Sequence, residues 1–290
     1  MNKTAAGVLV ALLLAAPLAH AQTAADKKIL RVCADPNSMP FSNDKGEGLE
    51  NRIAKMFADE LGWTLEYYFF PQRMAFLRNT LRAKAENGED GFKCDLVTGS
   101  SPDPEGATAT KPWYRSTWAM VFPEGMGLDS VRSPDDLLKL PPELLGRLRF
   151  GVFAKSPAAD WIMRAGLEKQ MVPFQHMVGD PKAYPGQIID QSLANGDVDI
   201  AFAWGPVAGY YAKQVTSKKL RVVPMRPAES ITTDFSIAMA VRYREPEWKA
   251  RIEDFLQRRK PDIDKVLTDY GVPMVQEDGS VLISGERFTR

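Results

Sequence analysis

Leu193–Tyr211, LANGDVDIAFAWGPVAGYY, decides how the chain is read. It reads as a helix end, a turn at Asn195 and Gly196, a fully apolar strand from Ile200 to Trp204, and a second helix entered through Gly205 and Pro206. Glycine ends a helix because it tolerates positive φ, and proline suits a first helical turn because it has no N–H to leave unpaired. A near copy lies upstream, where Asn87 and Gly88 precede Asp95, the strand Leu96 to Thr98, and Gly99. Two lobes built on such units place two strand ends opposite one another, and ligands of open α/β sheets bind outside the carboxyl ends of strands. Gly99 to Ser101, including Ser100, and Trp204 to Pro206 are therefore the expected cleft walls.

Working outward, Leu30 to Ala34 is a short β-type run followed by a loop from Asp35 to Gly48. Ile53, Met56, Phe57 and Leu61 recur at helical spacing, and Gly62 closes that helix. Thr64 to Phe70 reads as a strand, and Met74, Leu77 and Leu81 predict a helix running to the turn near Gly88. Alternating strands and helices imply parallel pairing and a doubly wound lobe. Ser133, Pro134, Asp135 and Asp136 read as a helix start with a hydroxyl cap. A second alternating series then begins at Arg149 to Ala154 and continues through Pro173 to Val178. The chain ends in helices with apolar faces Trp248, Ile252, Phe255, Leu256 and Ile263, Val266, Leu267, Tyr270. The first lobe has only three strands before the second begins, so the chain is expected to cross between lobes at Ala119 to Pro123 and at Thr233 to Arg242. The expected α/β architecture has two lobes, each a doubly wound sheet: residues 22–121 plus 235–290, and residues 122–234. Two crossings and a cleft predict hinge closing.

Lys3, an apolar run from Val8 to Leu18, and Ala19, His20, Ala21 form a secretory leader over residues 1–21. The run is too short for a bilayer, which needs about 20 residues, so a chain exported to the periplasm without membrane insertion is expected. The 37 basic and 37 acidic residues balance, which offers nucleic acid no basic patch. In an oxidising compartment Cys33 and Cys94 most simply form one disulfide, the alternative being two buried thiols.

Little in the sequence equips the chain for catalysis. His176 is the one histidine beyond the leader, and it sits in an apolar strand-like run where a triad or a zinc site is poorly supplied. Neither a cofactor nor a metal site is expected. Arg73, at the start of the helix after the second strand, is a candidate to reach the cleft. Aromatic residues gather where walls are expected, among them Phe41, Trp113, Tyr114 and Trp204. Core packing accounts for at least half of such rings, and Trp113 and Trp204 are the expected exposures.

The segments RVCADPNSMPFSN (31–43), GEGLENRIA (46–54), FFPQRMAFLRNTL (69–81), KPWYRST (111–117) and AWGPVAGYYAKQ (203–214) occur in the order seen in family 3 solute-binding proteins. In particular they resemble the MoxJ/XoxJ-type periplasmic accessory proteins of quinoprotein methanol dehydrogenase systems. The resemblance implies a two-lobed type II binding-protein fold and a non-enzymatic role. The implied partner is a PQQ-dependent methanol or alcohol dehydrogenase, with its cytochrome c, which the protein helps to mature or activate. It does not imply that this chain holds the quinone or its metal. Amino-acid binders of this fold grip the ligand carboxylate with an arginine in the loop after the third strand, and the amine with an aspartate after the second lobe's cleft strand. Here Ser100 to Thr110 contains no arginine and Trp204 stands at the aspartate's place. Two charge-assisted hydrogen bonds of roughly 1.5–3 kcal/mol each are thereby lost. An aromatic cleft suits a protein segment or an uncharged molecule, so an importer binding protein for a small uncharged solute is the alternative. A dehydratase on the same fold is a third reading; it would use Glu50 or Asp35 as the acid or base.

Overall fold

The computed structural model describes residues 28–86, 91–175, 180, 182–227 and 231–289. The leader, the turn at Asn87 and Gly88, and His176 lie outside the described residues.

β1 (Ile29–Ala34) is the middle strand of the first lobe. Its alternation sends Leu30 and Val32 to one face and Cys33 to the other, and each face has its own core. The loop that follows carries the hairpin β2 (Asn37–Ser38) and β3 (Ser42–Asn43), with a cis Met39–Pro40 bond at its tip. α1 (Leu49–Leu61) follows. Carbonyls of the hairpin tip receive its first N–H groups, Leu49 to Pro40 at 2.8 Å and Glu50 to Phe41 at 2.9 Å. Gly48 is required there, because a Cβ would lie 2.1 Å from the Phe41 carbonyl. α1 ends at Gly62, which has φ of 65°.

β4 (Thr64–Phe69) and β5 (Leu96–Ser100) both pair parallel to β1. The helix expected from the spacing of Met74, Leu77 and Leu81 contracts to the single turn α2 (Phe76–Asn79), and Met74 is 87% exposed. Ala75, at φ of 65°, breaks the helical path before the apolar spacing can be used. The disulfide forms between Cys33 and Cys94, whose Cα atoms are 5.5 Å apart, and it ties β1 to the entry of β5.

β6 (Thr108–Ala109) leads to β7 (Tyr114–Pro123), the strand that both lobes share. Its first half pairs antiparallel with β12 (Asp234–Val241), from Tyr114 opposite Ile237 to Thr117 opposite Asp234. The second half pairs with β10 (Ile200–Trp204) and β11 (Leu220–Pro224). Between them the chain forms a 3-10 turn at Pro134–Lys139, α3 (Pro142–Leu145), β8 (Phe150–Phe153), α4 (Pro157–Arg164) and β9 (Met171–Phe174). Ser133 does not cap that turn as expected. Its Oγ donates to the Asp136 carboxylate at 3.0 Å, and Asp136 instead receives the Arg132 N–H. With Lys139 as the main cause, these bonds hold Asp136 at about 2. β8, β9 and β10 are parallel neighbours. A π-helical turn over Ile188–Leu193 precedes β10, and α5 (Gly205–Gln214) follows it.

The strands form one ten-stranded sheet, yet the cores on it are separate. One gathers Phe122, Phe150, Ile200 and Phe202; the other gathers Leu30, Phe57, Leu96 and Phe255. After β12 the chain returns to the first lobe. α6 (Pro246–Arg258) and α7 (Lys260–Asp269) bury Ile252, Phe255, Ile263 and Leu267 against α1 and β1. Each such side chain contributes about 1.5–3 kcal/mol. Beyond Gly271 three strands follow that the periodicity did not reveal: β13 (Met274–Val275), β14 (Val281–Ile283) and β15 (Glu286–Phe288). They turn back toward the second lobe, where Val281, Ile283 and Phe288 pack with Val222 of β11.

Candidate functional site at the cleft mouth

Strand ends build this site. Asp35 follows β1, and its carboxylate accepts the N–H of Asn37 at 2.8 Å and of Gln72 at 2.6 Å, tying the loop after β1 to the loop after β4. Gln72 Nε2 in turn reaches the Gly99 carbonyl at 3.5 Å. Arg73 comes next in the loop and has no ion-pair partner among the described residues. Facing them, the second lobe supplies Phe153 at the end of β8, Phe174 at the end of β9, and Tyr184. These residues enclose a cavity of about 430 Å³ between the lobes.

The aromatic side of the cavity is held from behind. Phe153 and Phe174 meet edge to face with centroids 6.2 Å apart. Tyr184 stacks on Tyr211 at 5.7 Å, donates its hydroxyl to Asp190 at 2.8 Å and accepts from Gln191 at 3.2 Å. Burial raises the Asp190 carboxyl above the usual aspartate range. Gly186 has to be glycine, since a Cβ would sit 2.1 Å from the Tyr211 ring.

Deeper in the first lobe, Glu50 projects from the first turn of α1 beneath Gly99, where a Cβ would meet its Oε1 at 2.1 Å. Its Oε2 accepts from Thr98 Oγ1 at 2.8 Å. Burial pushes this carboxyl up to about 7; the Thr98 bond opposes the rise and the charge of Asp35 adds to it. Trp113 Nε1 donates to the Thr98 carbonyl at 3.2 Å. Tyr114 packs edge to face on Trp113, and burial beside Glu50 raises its hydroxyl well above the usual value.

The structure places Asp35 and Arg73 at the cavity and other candidates elsewhere. Trp113, an expected exposure, is 3% exposed and Tyr114 7%. Both rings belong to the first lobe's core, where they pack edge to face on each other and Trp113 is tied to the Thr98 carbonyl. Trp204 is half-buried and packs against Trp118 and Phe235 of the crossing strands, away from the cavity. Gly205 is buried against Thr117 and Pro273, Pro206 is buried as well, and neither lines the cavity. Ser100 pairs with Ala238 inside the sheet, and Ser101 is exposed. Met39 and Phe41 pack against both cores, so the chain's own hairpin fills the space between the lobes below the cavity. Phe153 stands at the end of a strand the sequence does reveal, so the strand-end rule could have named it; Phe174 could not be named so, because the strand expected from Pro173 to Val178 instead ends at Phe174. Tyr184 carries no such signal.

No protein-family model matches the chain. The crystal structure of the periplasmic binding protein XoxJ from Methylobacterium extorquens AM1 is 32% identical, covers 86% of this chain and 100% of its own, and superposes with a TM-score of 0.66. The chain belongs to the MoxJ/XoxJ family of periplasmic binding proteins. Protein MoxJ of Paracoccus denitrificans is 27% identical over 275 residues, which is 90% of this chain and 95% of the relative. The crystal structure of MxaJ from Methlophaga aminisulfidivorans MPT is 25% identical, covers 84% of this chain and 99% of its own, and has a TM-score of 0.68. Membership fixes the fold as the two-lobed type II binding-protein architecture. Among the described residues no helix is long and apolar enough to cross a membrane, and no group of three or more potential metal ligands occurs.

Proposed function

We propose that this protein is a non-enzymatic periplasmic accessory protein that associates with a PQQ-dependent methanol or alcohol dehydrogenase and helps to mature or activate it. Residues 1–21 direct its export, and residues 22–121 with 235–290 and residues 122–234 form the lobes. The observation that carries this reading is the makeup of the cleft. Its interior is packed by Met39 and Phe41, and what stays open is the cavity of about 430 Å³ walled by Phe153, Phe174 and Tyr184, with Asp35 and Arg73 also lining it. Asp35 is already held by two backbone N–H groups, and rigid aromatic walls with Arg73 as the uncommitted charge suit anchoring of a partner's side chain better than enclosure of a zwitterion. Kinship with MoxJ and XoxJ supports the choice of partner.

Purified dehydrogenase, in apo and holo forms and with or without its cytochrome c, is passed over the immobilised protein. Retention of at least one form is expected, falling about tenfold for Arg73→Ala or Tyr184→Ala, the loss of one anchoring contact of about 1.4 kcal/mol. No retention of any form sinks the proposal. One observation favours a second reading: Glu50, half-buried beneath Gly99 with its carboxyl pushed up to about 7 by desolvation, holds a proton that it could give or take. Dehydration of a cyclohexadienyl acid that disappears in Glu50→Gln would put that reading in place of the first.

A further inference from the structure

Importers that use this architecture need lobes that swing, and the contacts behind the cleft are arranged against swinging. We infer that a seam along α5 and a strap formed by residues 272–289 fix the angle between the lobes, so that the protein presents its cleft mouth as a rigid surface. This inference is independent of the partner proposed above.

The seam starts at the crossing strands, where buried Ser116 Oγ donates to the Pro273 carbonyl at 2.6 Å. It continues at Gly209 of α5, which approaches Gly271 so closely that a Cβ would lie 1.8 Å from the Gly271 carbonyl oxygen. One residue on, Tyr210 stacks on Tyr270 with centroids 5.7 Å apart and planes at 17°, while the Tyr270 hydroxyl donates to the Glu47 carbonyl. At the far end Lys213 Nζ donates to the carbonyls of Thr268 and Asp269, each at 3.2 Å, placing a cation on the negative end of α7. α5 belongs to the second lobe's core, whereas Tyr270 and Val272 belong to the first. Any rotation of the lobes separates together the contacts that Gly209, Tyr210 and Lys213 make with the stretch from Thr268 to Gly271.

The strap adds a third covalent passage to the two crossing strands. From Val272 in the first lobe's core it runs past β7 to bury Val281, Ile283 and Phe288 with Val222, and Arg226 holds the Thr289 carbonyl beyond it. A hinge moves by changing a few φ and ψ angles in the crossing segments. A third passage fastened on both sides leaves those angles little freedom.

Pulsed electron spin resonance on the full chain tests this. Spin labels go on Lys55→Cys in the first lobe and Lys169→Cys in the second, both exposed positions. The native cysteines are already joined to each other. The native chain is expected to give one narrow distance distribution. Gly209→Val, which forces α5 off Gly271, and Val281→Asp, which unfastens the strap, should each broaden and lengthen it. Far-UV circular dichroism confirms that a variant is folded, and a variant that fails this check leaves the decision to the other variant and the native chain. Two distance populations in the native chain, or folded variants that both keep its narrow distribution, overturn the inference.

Discussion

Glu50 shows how much a single enclosed carboxyl can govern. Its folded value of about 7 lies above the value of about 4.5 for a free glutamate, so the folded state holds the proton more tightly than the unfolded chain. Stability from this group is therefore fully present below pH 4.5, declines as pH rises, and is lost above pH 7. The linkage is worth roughly 3 kcal/mol in total. Glu50→Gln keeps an oxygen for the Thr98 hydroxyl and cannot ionise. Urea midpoints measured at pH 5 and pH 8 should fall for the native chain and stay nearly level for the variant by comparison; equal slopes would show that Glu50 titrates as an ordinary glutamate. Gly99→Ala, with its Cβ driven against Glu50 Oε1, should cost about 1–3 kcal/mol at either pH. Residue identity alone pointed to Glu50 and Asp35. It could not show that Glu50 is covered while Asp35 is held by two backbone N–H groups, because both outcomes depend on loops that meet only in the fold. Trp113 illustrates the same limit, since it stands just before β7 and its burial depends on the Thr98 carbonyl and the core that meet it only in the fold.

Among elements, strands bounded by glycine or proline were the most legible. β1, β5, β8 and β10 stand where the apolar runs placed them, because a buried strand needs an apolar stretch and little else, and edge strand β4 stands where its aromatic and β-branched residues placed it. The element after β4 was misread: Met74, Leu77 and Leu81 keep helical spacing, but only one turn forms and Met74 faces solvent. β13 to β15 are two or three residues long and too brief to display a period. The disulfide joins elements 61 residues apart, and closing a loop of that length restricts the unfolded chain by about 4 kcal/mol. Cys33→Ser combined with Cys94→Ser should lower unfolding stability by an amount of that order, read from urea denaturation at fixed pH. A change below about 1 kcal/mol would mean that the first lobe's packing already holds β1 and β5 in register.

At the scale of the whole molecule, the two-lobed plan could be read from the repeated turn, strand and loop unit, and the crossings from the interrupted strand series. The coupling between lobes could not, because nothing marks Gly209 within α5 and Gly271 after α7 as partners until the chain brings them together. That coupling predicts how the protein unfolds. The first lobe holds the disulfide, while the second relies on packing and on its attachments to the first. Alone, the second should melt earlier. Joined by shared β7, the seam and the strap, both should unfold in one step, for which coincident transitions seen by separate probes are the test. The six tryptophans supply the probes: Trp63, Trp113 and Trp248 pack in the first lobe, and Trp118, Trp161 and Trp204 in the second. In protein labelled with 5-fluorotryptophan, fluorine resonances from both sets should disappear at the same urea concentration in the native chain. In Val281→Asp the second set should go first, because the strap no longer passes the first lobe's stability to the second. Two separated transitions in the native chain would show that the lobes fold independently, with the contacts along α5 too weak to couple them.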